Sequence, residues 1–172
     1  SLGLVGSEMC IRDSIAAEKR DVLEQTLPAH LIDTAESFLK HISVVPEAKI
    51  AMQHGVHAMH DVTEGGIFGA LWEMGAASGV GIVADLDKIP IRQETIELCE
   101  VFDINPYLLI SSGCMLIGCE NGNLLVERLQ EAGIPAAVIG RATEGNDRVI
   151  RSGEETRFLE PAGSDELYKI YE

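Results

Sequence analysis

His60-Asp61-Val62-Thr63-Glu64-Gly65-Gly66-Ile67-Phe68-Gly69 is the stretch that decides the fold. Before it, Val56 to Met59 is short and apolar and predicts a buried strand. After it, apolar residues fall at 67, 68, 71, 72 and 75, which predicts a helix from Ile67 to Ser78 with a wide buried face, ended by Gly79. Chemistry often sits at such a strand-to-helix elbow. A helix N-terminus presents unpaired N–H groups and a partial positive charge, so it attracts phosphate or carboxylate. Gly65 and Gly66 let a ligand approach the backbone closely. Asp61 can hold a metal or cap the helix, and Thr63 can donate to a phosphate oxygen. The same residues also fit a plain capped turn, with Asp61 or Thr63 as N-cap and the glycines serving helix–sheet contact. The spacing is neither G-x-G-x-x-G nor a Walker P-loop.

Outward from the elbow, helices and strands mix. Upstream, residues 15–27 and 28–40 read as two helices, with Pro28 suited to a first turn, and Pro46 opens a further helix closed by Gly55. Downstream, Val80 to Leu86 reads as a strand, Lys88 to Ile91 as a short extended piece, and Gln93 to Phe102 as a helix. Ser111-Ser112-Gly113 is a turn before a strand from Cys114 to Cys119, and Asn121 or Asn123 caps a helix running to Ala132. Strands follow at 135–142, 148–151 and 156–159, then a short acidic-capped helix from Ser164 to Tyr171. This order predicts an α/β or α+β domain, a mixed sheet with helices packed on one face.

The chain has 172 residues, 46% hydrophobic and 24% charged, which excludes a disordered chain. Lys+Arg is 13 and Asp+Glu 28, a net charge of −15 that argues against nucleic-acid binding. No apolar run is long enough to span a membrane. Cys10, Cys99, Cys114 and Cys119 form no C-x-x-C pair and are too sparse for a disulfide scaffold, so a cytoplasmic setting is expected. Residues 1–14 lack periodicity and look like a translated adapter tail, so no fold information is expected from them.

HDVTEGGIFGALWE, then SGVGIVADLDKIPI, then CEVFDINPYLLISSGCMLIG resembles the C-terminal domain of the AIR synthase (PurM-like) superfamily, closest to its AIR synthase-related, HypE-like branch. The likeness covers about residues 41–160, and LEPAGSDELYKI resembles the tail of that branch. It implies residues 41–172 as that C-terminal domain, preceded by a helical segment at 15–40. It also implies that an N-terminal ATP-binding domain, carrying most Mg·ATP carboxylates and the homodimer interface, lies outside this sequence. Members use ATP to phosphorylate an oxygen, often of an amide or carboxamide. The resemblance therefore implies ATP and Mg²⁺ in the full-length protein, none bound by this chain alone, and a maturation partner protein. By position, Asp61, Thr63, Gly65 and Gly66 match D-x-T-x-G-G beside the phosphate or substrate, with His60 and Glu64 in the same site, and Ser112 and Gly113 match a later S-x-G turn. A HypE proper ends in a Cys that carries the carboxamide, whereas this sequence ends Tyr171-Glu172, so either that Cys is lost by truncation or, as the favoured expectation, the protein is a paralogue acting on another substrate. The alternative is a non-catalytic maturation scaffold or protein-binding domain.

His54, His57 and His60 are three apart, but Gly55 and the strand separate them, so no metal face is expected. Cys114 and Cys119 should point to opposite faces of one strand. Trp72 and Phe68 share a helix face that reads as core or interdomain surface, and Asp85 and Asp87 read as exposed turn residues. With one sheet face reserved for a partner domain, the chain alone should expose apolar surface and associate.

Overall fold

In the computed structural model, which describes residues 1–5, 11–37, 43–161 and 163–171, a seven-stranded sheet carries the fold. The strands are β1 (Leu2–Val5), β2 (Val56–Asp61), β3 (Gly81–Asp85), β4 (Met115–Cys119), β5 (Ala136–Thr143), β6 (Arg148–Ser152) and β7 (Glu155–Phe158), in spatial order β2-β4-β1-β5-β3-β6-β7. All neighbours are antiparallel except β3 and β6, which run parallel. The helices are α1 (Ile11–Glu18), α2 (Arg20–Leu23), α3 (Ala29–Glu36), α4 (Val45–Ala51), α5 (Gly66–Ser78), α6 (Gln93–Val101) and α7 (Gly122–Glu131). Short 3₁₀ turns lie at Leu86–Lys88 and Glu166–Ile170.

The mixed α/β class read from the sequence is therefore the observed one, but helices cover both faces of the sheet rather than one. Alternate residues of β4 show why. Leu116 joins the cluster under α5 with Leu71, Ile82 and Ile139, while Met115, Ile117 and Cys119 pack with Ala51 of α4 and Leu125 and Leu129 of α7. A strand covered on one side alternates in burial; β4 is buried at every residue but Gly118. Apolar surface nevertheless remains among the described residues, in a groove lined by Leu2, Ala58, Met74, Val80 and Ile82 and at exposed Met52 and Phe158. A third cluster joins α1, α2, α3 and α6 through Ile15, Leu23, Ile32, Leu98 and Leu109.

Two further readings change. Part of the segment 1–14 does carry fold information: Leu2–Val5 is an inner strand, paired with β4 on one side and β5 on the other. The stretch at 56–59 is not a buried strand. As β2 it forms an edge of the sheet, with His57, Met59 and Asp61 exposed and the residues between them half-buried. A short apolar run cannot distinguish an edge from a centre, because both need only one covered face. Cys10 and residues 38–40 of the second predicted helix lie outside the described residues. The helical region predicted at 15–27 is split between α1 and α2, and Pro28 sits just outside α3 as its N-cap.

Antiparallel pairing of β2 with β4 places Asp61 opposite Met115. The elbow that leaves β2 and the turn that enters β4 are thereby brought to one end of the sheet.

Candidate functional site

Val62 N–H donates to the Cys114 carbonyl at 2.9 Å, tying the start of the elbow to the end of the Ser111–Gly113 turn. Cys114 N–H closes that turn onto the Ser111 carbonyl at 3.2 Å, with Gly113 at φ +92°. The structure thus brings together the two motifs that lie about fifty residues apart in sequence. Ser111, not named among the candidates, is buried and donates to the Leu109 carbonyl at 2.8 Å; Ser112 is half-exposed.

Gly65 and Gly66 both take left-handed backbone angles, φ +76° and +60°. They swing the chain into α5 beneath the segment 107–109, whose Tyr107 carbonyl accepts from Phe68 N–H at 3.1 Å. The elbow amides are not bare, and this corrects the expectation of unpaired donors there. Gly66 N–H donates to the Thr63 carbonyl at 3.0 Å, and Gly65 N–H donates to Asp165 Oδ2 at 2.8 Å. Both glycines are buried. The carboxylate that a helix N-terminus attracts is supplied by the chain itself.

What faces outward is the side-chain rim: exposed Asp61 and Glu64, half-exposed Thr63, and His60. His60 points toward α5, where its Nε2 lies 2.8 Å from Glu73 Oε2, while its Nδ1 lies 2.5 Å from the Asp61 carbonyl. These two contacts fix the ring between the elbow backbone and α5. Glu73 was not legible as a partner because the pairing depends on how α5 crosses β2, not on sequence spacing. Asp165 was legible only as part of the acidic cap of the last short helix; its reach to Gly65 and Ile110 was not.

Around the rim, Phe68 stacks on Tyr107 with ring centroids 5.2 Å apart, and Arg148 lies over the Trp72 ring at 5.1 Å. Burial, and then the Asp87 carboxylate, push the Tyr107 phenol upward. Asp85, half-buried at the end of β3, is held by Lys88 at 2.6 Å, and Asp87 is exposed in the 3₁₀ turn that follows. Cys114 and Cys119 lie in clusters on opposite sheet faces, and neither they nor Cys99 form a disulfide. Among the described residues no three His, Cys, Asp or Glu side chains gather as a metal site, and no helix is long and apolar enough to cross a membrane.

Residues 1–152 match the family model described as AIR synthase related protein, C-terminal domain. The chain belongs to that family. This AIR synthase-related domain is 32% identical over 106 residues to carbamoyl dehydratase HypE of Rhodobacter capsulatus, covering 59% of the chain and 31% of that protein. It is 31% identical over 93 residues to phosphoribosylformylglycinamidine synthase subunit PurL of Corynebacterium aurimucosum, covering 54% of the chain and 11% of that protein. Its fold is that of E. coli HypE, with a TM-score of 0.76 at 20% identity over 98% of the chain and 52% of HypE. It also matches a HypE solved with ATP (TM-score 0.66, 16% identity, 95% of the chain and 51% of that one). A third likeness is to a HypE–HypF complex (TM-score 0.68, 18% identity, 93% and 52%). The AIR synthase-related domain thus spans about a third of its HypE relative's length and about half of these solved chains.

Proposed function

We propose that this domain is the C-terminal half of a HypE-like, ATP-dependent enzyme that activates an amide or carboxamide oxygen by phosphorylation. The observation that supports it most is the hydrogen bond from Val62 to Cys114, which joins the D-x-T-x-G-G elbow and the S-x-G turn at one sheet end in a chain whose family is shown. The name carbamoyl dehydratase of one relative, and the ATP held by a solved HypE, supply the reaction class.

The described residues do not by themselves fit Mg·ATP. No group of acids gathers as a metal site, and the Gly65 amide is engaged by Asp165. On this reading the nucleotide and its Mg²⁺ are held by polypeptide outside this sequence, a partner half that also supplies the homodimer contact, and this domain serves the substrate side. Loss of water from a carboxamide strips protons from its nitrogen, and the exposed Asp61 carboxylate is the group here suited to accept one. Thr63 and Ser112 offer hydroxyl donors at the same end, and Gly65, Gly66 and Gly113 shape the backbone that presents them. His60, tied to Glu73, orients the elbow beside Asp61. The three described cysteines, none in a disulfide, suit a cytoplasmic setting.

The internal engagement of both elbow amides favours a second reading, a non-catalytic maturation scaffold that binds a partner protein; the complex of HypE with HypF gives that reading its precedent. Activity separates the two. In the polypeptide encoded by the gene with its upstream sequence, Asp61→Asn should lower ATP-dependent turnover about a hundredfold with the melting temperature unchanged. Turnover unaffected by Asp61→Asn removes Asp61 from the site, and a wild-type protein that never consumes ATP supports the scaffold.

A further inference from the structure

The Asp165 carboxylate is buried, at 4% exposure, and is shared among three backbone amides from three parts of the chain. Its Oδ2 accepts from Gly65 N–H at 2.8 Å, in the elbow. Its Oδ1 accepts from Ile110 N–H at 3.2 Å, immediately before the Ser111–Gly113 turn, and from Leu167 N–H at 2.9 Å in its own 3₁₀ turn. The neighbouring Glu166, also buried, accepts from Asn105 N–H at 3.1 Å and is held from outside by Lys169 at 2.8 Å. Leu167 and Ile170 anchor the same segment on the helical cluster that contains Leu98 and Leu109.

We propose that Asp165 is a positioning residue: one carboxylate that sets the elbow and the Ser-Ser-Gly turn in a single frame, making residues 165–170 a working part of the site. The chemistry favours this over ordinary capping. A carboxylate that only capped its own 3₁₀ turn would need the Leu167 amide alone. A buried carboxylate must have its oxygens hydrogen-bonded, and here the partners come from the elbow and from the residue that leads into the Ser111–Gly113 turn. The Gly65 amide donates to Asp165, so its orientation, and with it the direction in which Thr63 and Glu64 leave the sheet, follows Asp165.

The role in turnover rests on the proposed enzymatic reading; the role in geometry does not, and the experiment separates them. In the 172-residue chain, amide hydrogen exchange is compared for wild type, Asp165→Asn and Glu166→Gln. Exchange at Gly65 and Ile110 should quicken together by about tenfold or more in Asp165→Asn, with Asn105 unchanged, and Glu166→Gln should reverse that pattern. Protection at Gly65 and Ile110 that survives Asp165→Asn overturns the proposal. Should that variant unfold, a trans-hydrogen-bond NMR coupling between the Gly65 amide nitrogen and the Asp165 carboxyl carbon is sought in the wild type, and its absence overturns the proposal as well. In the longer polypeptide, Asp165→Asn should lower kcat about tenfold at unchanged KM for ATP. Wild-type kcat beside quickened exchange rejects the positioning of catalysis, whereas a wild type without turnover counts against the enzymatic reading alone.

Discussion

A methyl group on Gly66 would sit 2.5 Å from the Tyr107 carbonyl oxygen and 2.7 Å from that of Leu109, at a backbone φ of +60°. Neither oxygen belongs to a flexible side chain, so the strand-to-helix elbow cannot relax cheaply. Gly66→Ala should cost about 3 kcal/mol from overpacking and left-handed strain combined, a fall of about 10 °C in melting temperature by calorimetry. The need for glycine here was visible in the sequence, but its reason was not. The sequence suggested room for an incoming ligand; the structure shows a protein segment already there. Cys119 gives a second residue-scale outcome. Burial pushes its thiol up, with the N-terminal ammonium acting weakly the other way. A folded thiol that keeps its proton longer than the unfolded one contributes stability below the ordinary thiol range, and that contribution is lost as pH rises through the raised value. Alkylation of Cys119 at about pH 8 should therefore lag that of the unfolded chain by about tenfold or more, read by mass spectrometry.

At the scale of elements, the helices with clear caps were the most legible. Asn121 accepts from Leu124 N–H at 3.1 Å and starts α7, as its position before Leu124 and Leu125 suggested. Asn121→Ala should cost about 1 kcal/mol in urea denaturation. α5 was legible from its apolar spacing, and Leu71, fully buried against the sheet, is its largest anchor. Leu71→Ala should cost about 3 kcal/mol in the same assay. Strands were less legible because pairing is non-local. Nothing in Val56 to Met59 says that β2 is an edge, and nothing in Leu2–Val5 says that it enters the sheet between β4 and β5.

For the whole molecule, the decisive fact is that both sheet faces carry helices, α5 on one and α4 with α7 on the other. The family motifs were legible because each is local: a dipeptide of glycines, a capped turn, a small-residue strand. What joins them was not, because the Val62–Cys114 bond and the Asp165 clasp connect residues about 50 and 100 positions apart. The apolar groove lined by Leu2, Ala58, Met74, Val80 and Ile82 is open, so the isolated native chain should bind a hydrophobic dye such as ANS; native protein that leaves the dye dark would show that the groove is closed in solution.

The most direct measurement follows oxygen. The polypeptide translated from the gene with its upstream sequence is given ATP and a carboxamide substrate carrying a heavy-oxygen label on its carbonyl. Activation through a phosphorylated oxygen moves that label into the released phosphate, and Asp61→Asn should slow its appearance. ATP consumed with the phosphate left unlabelled would contradict the proposed chemistry.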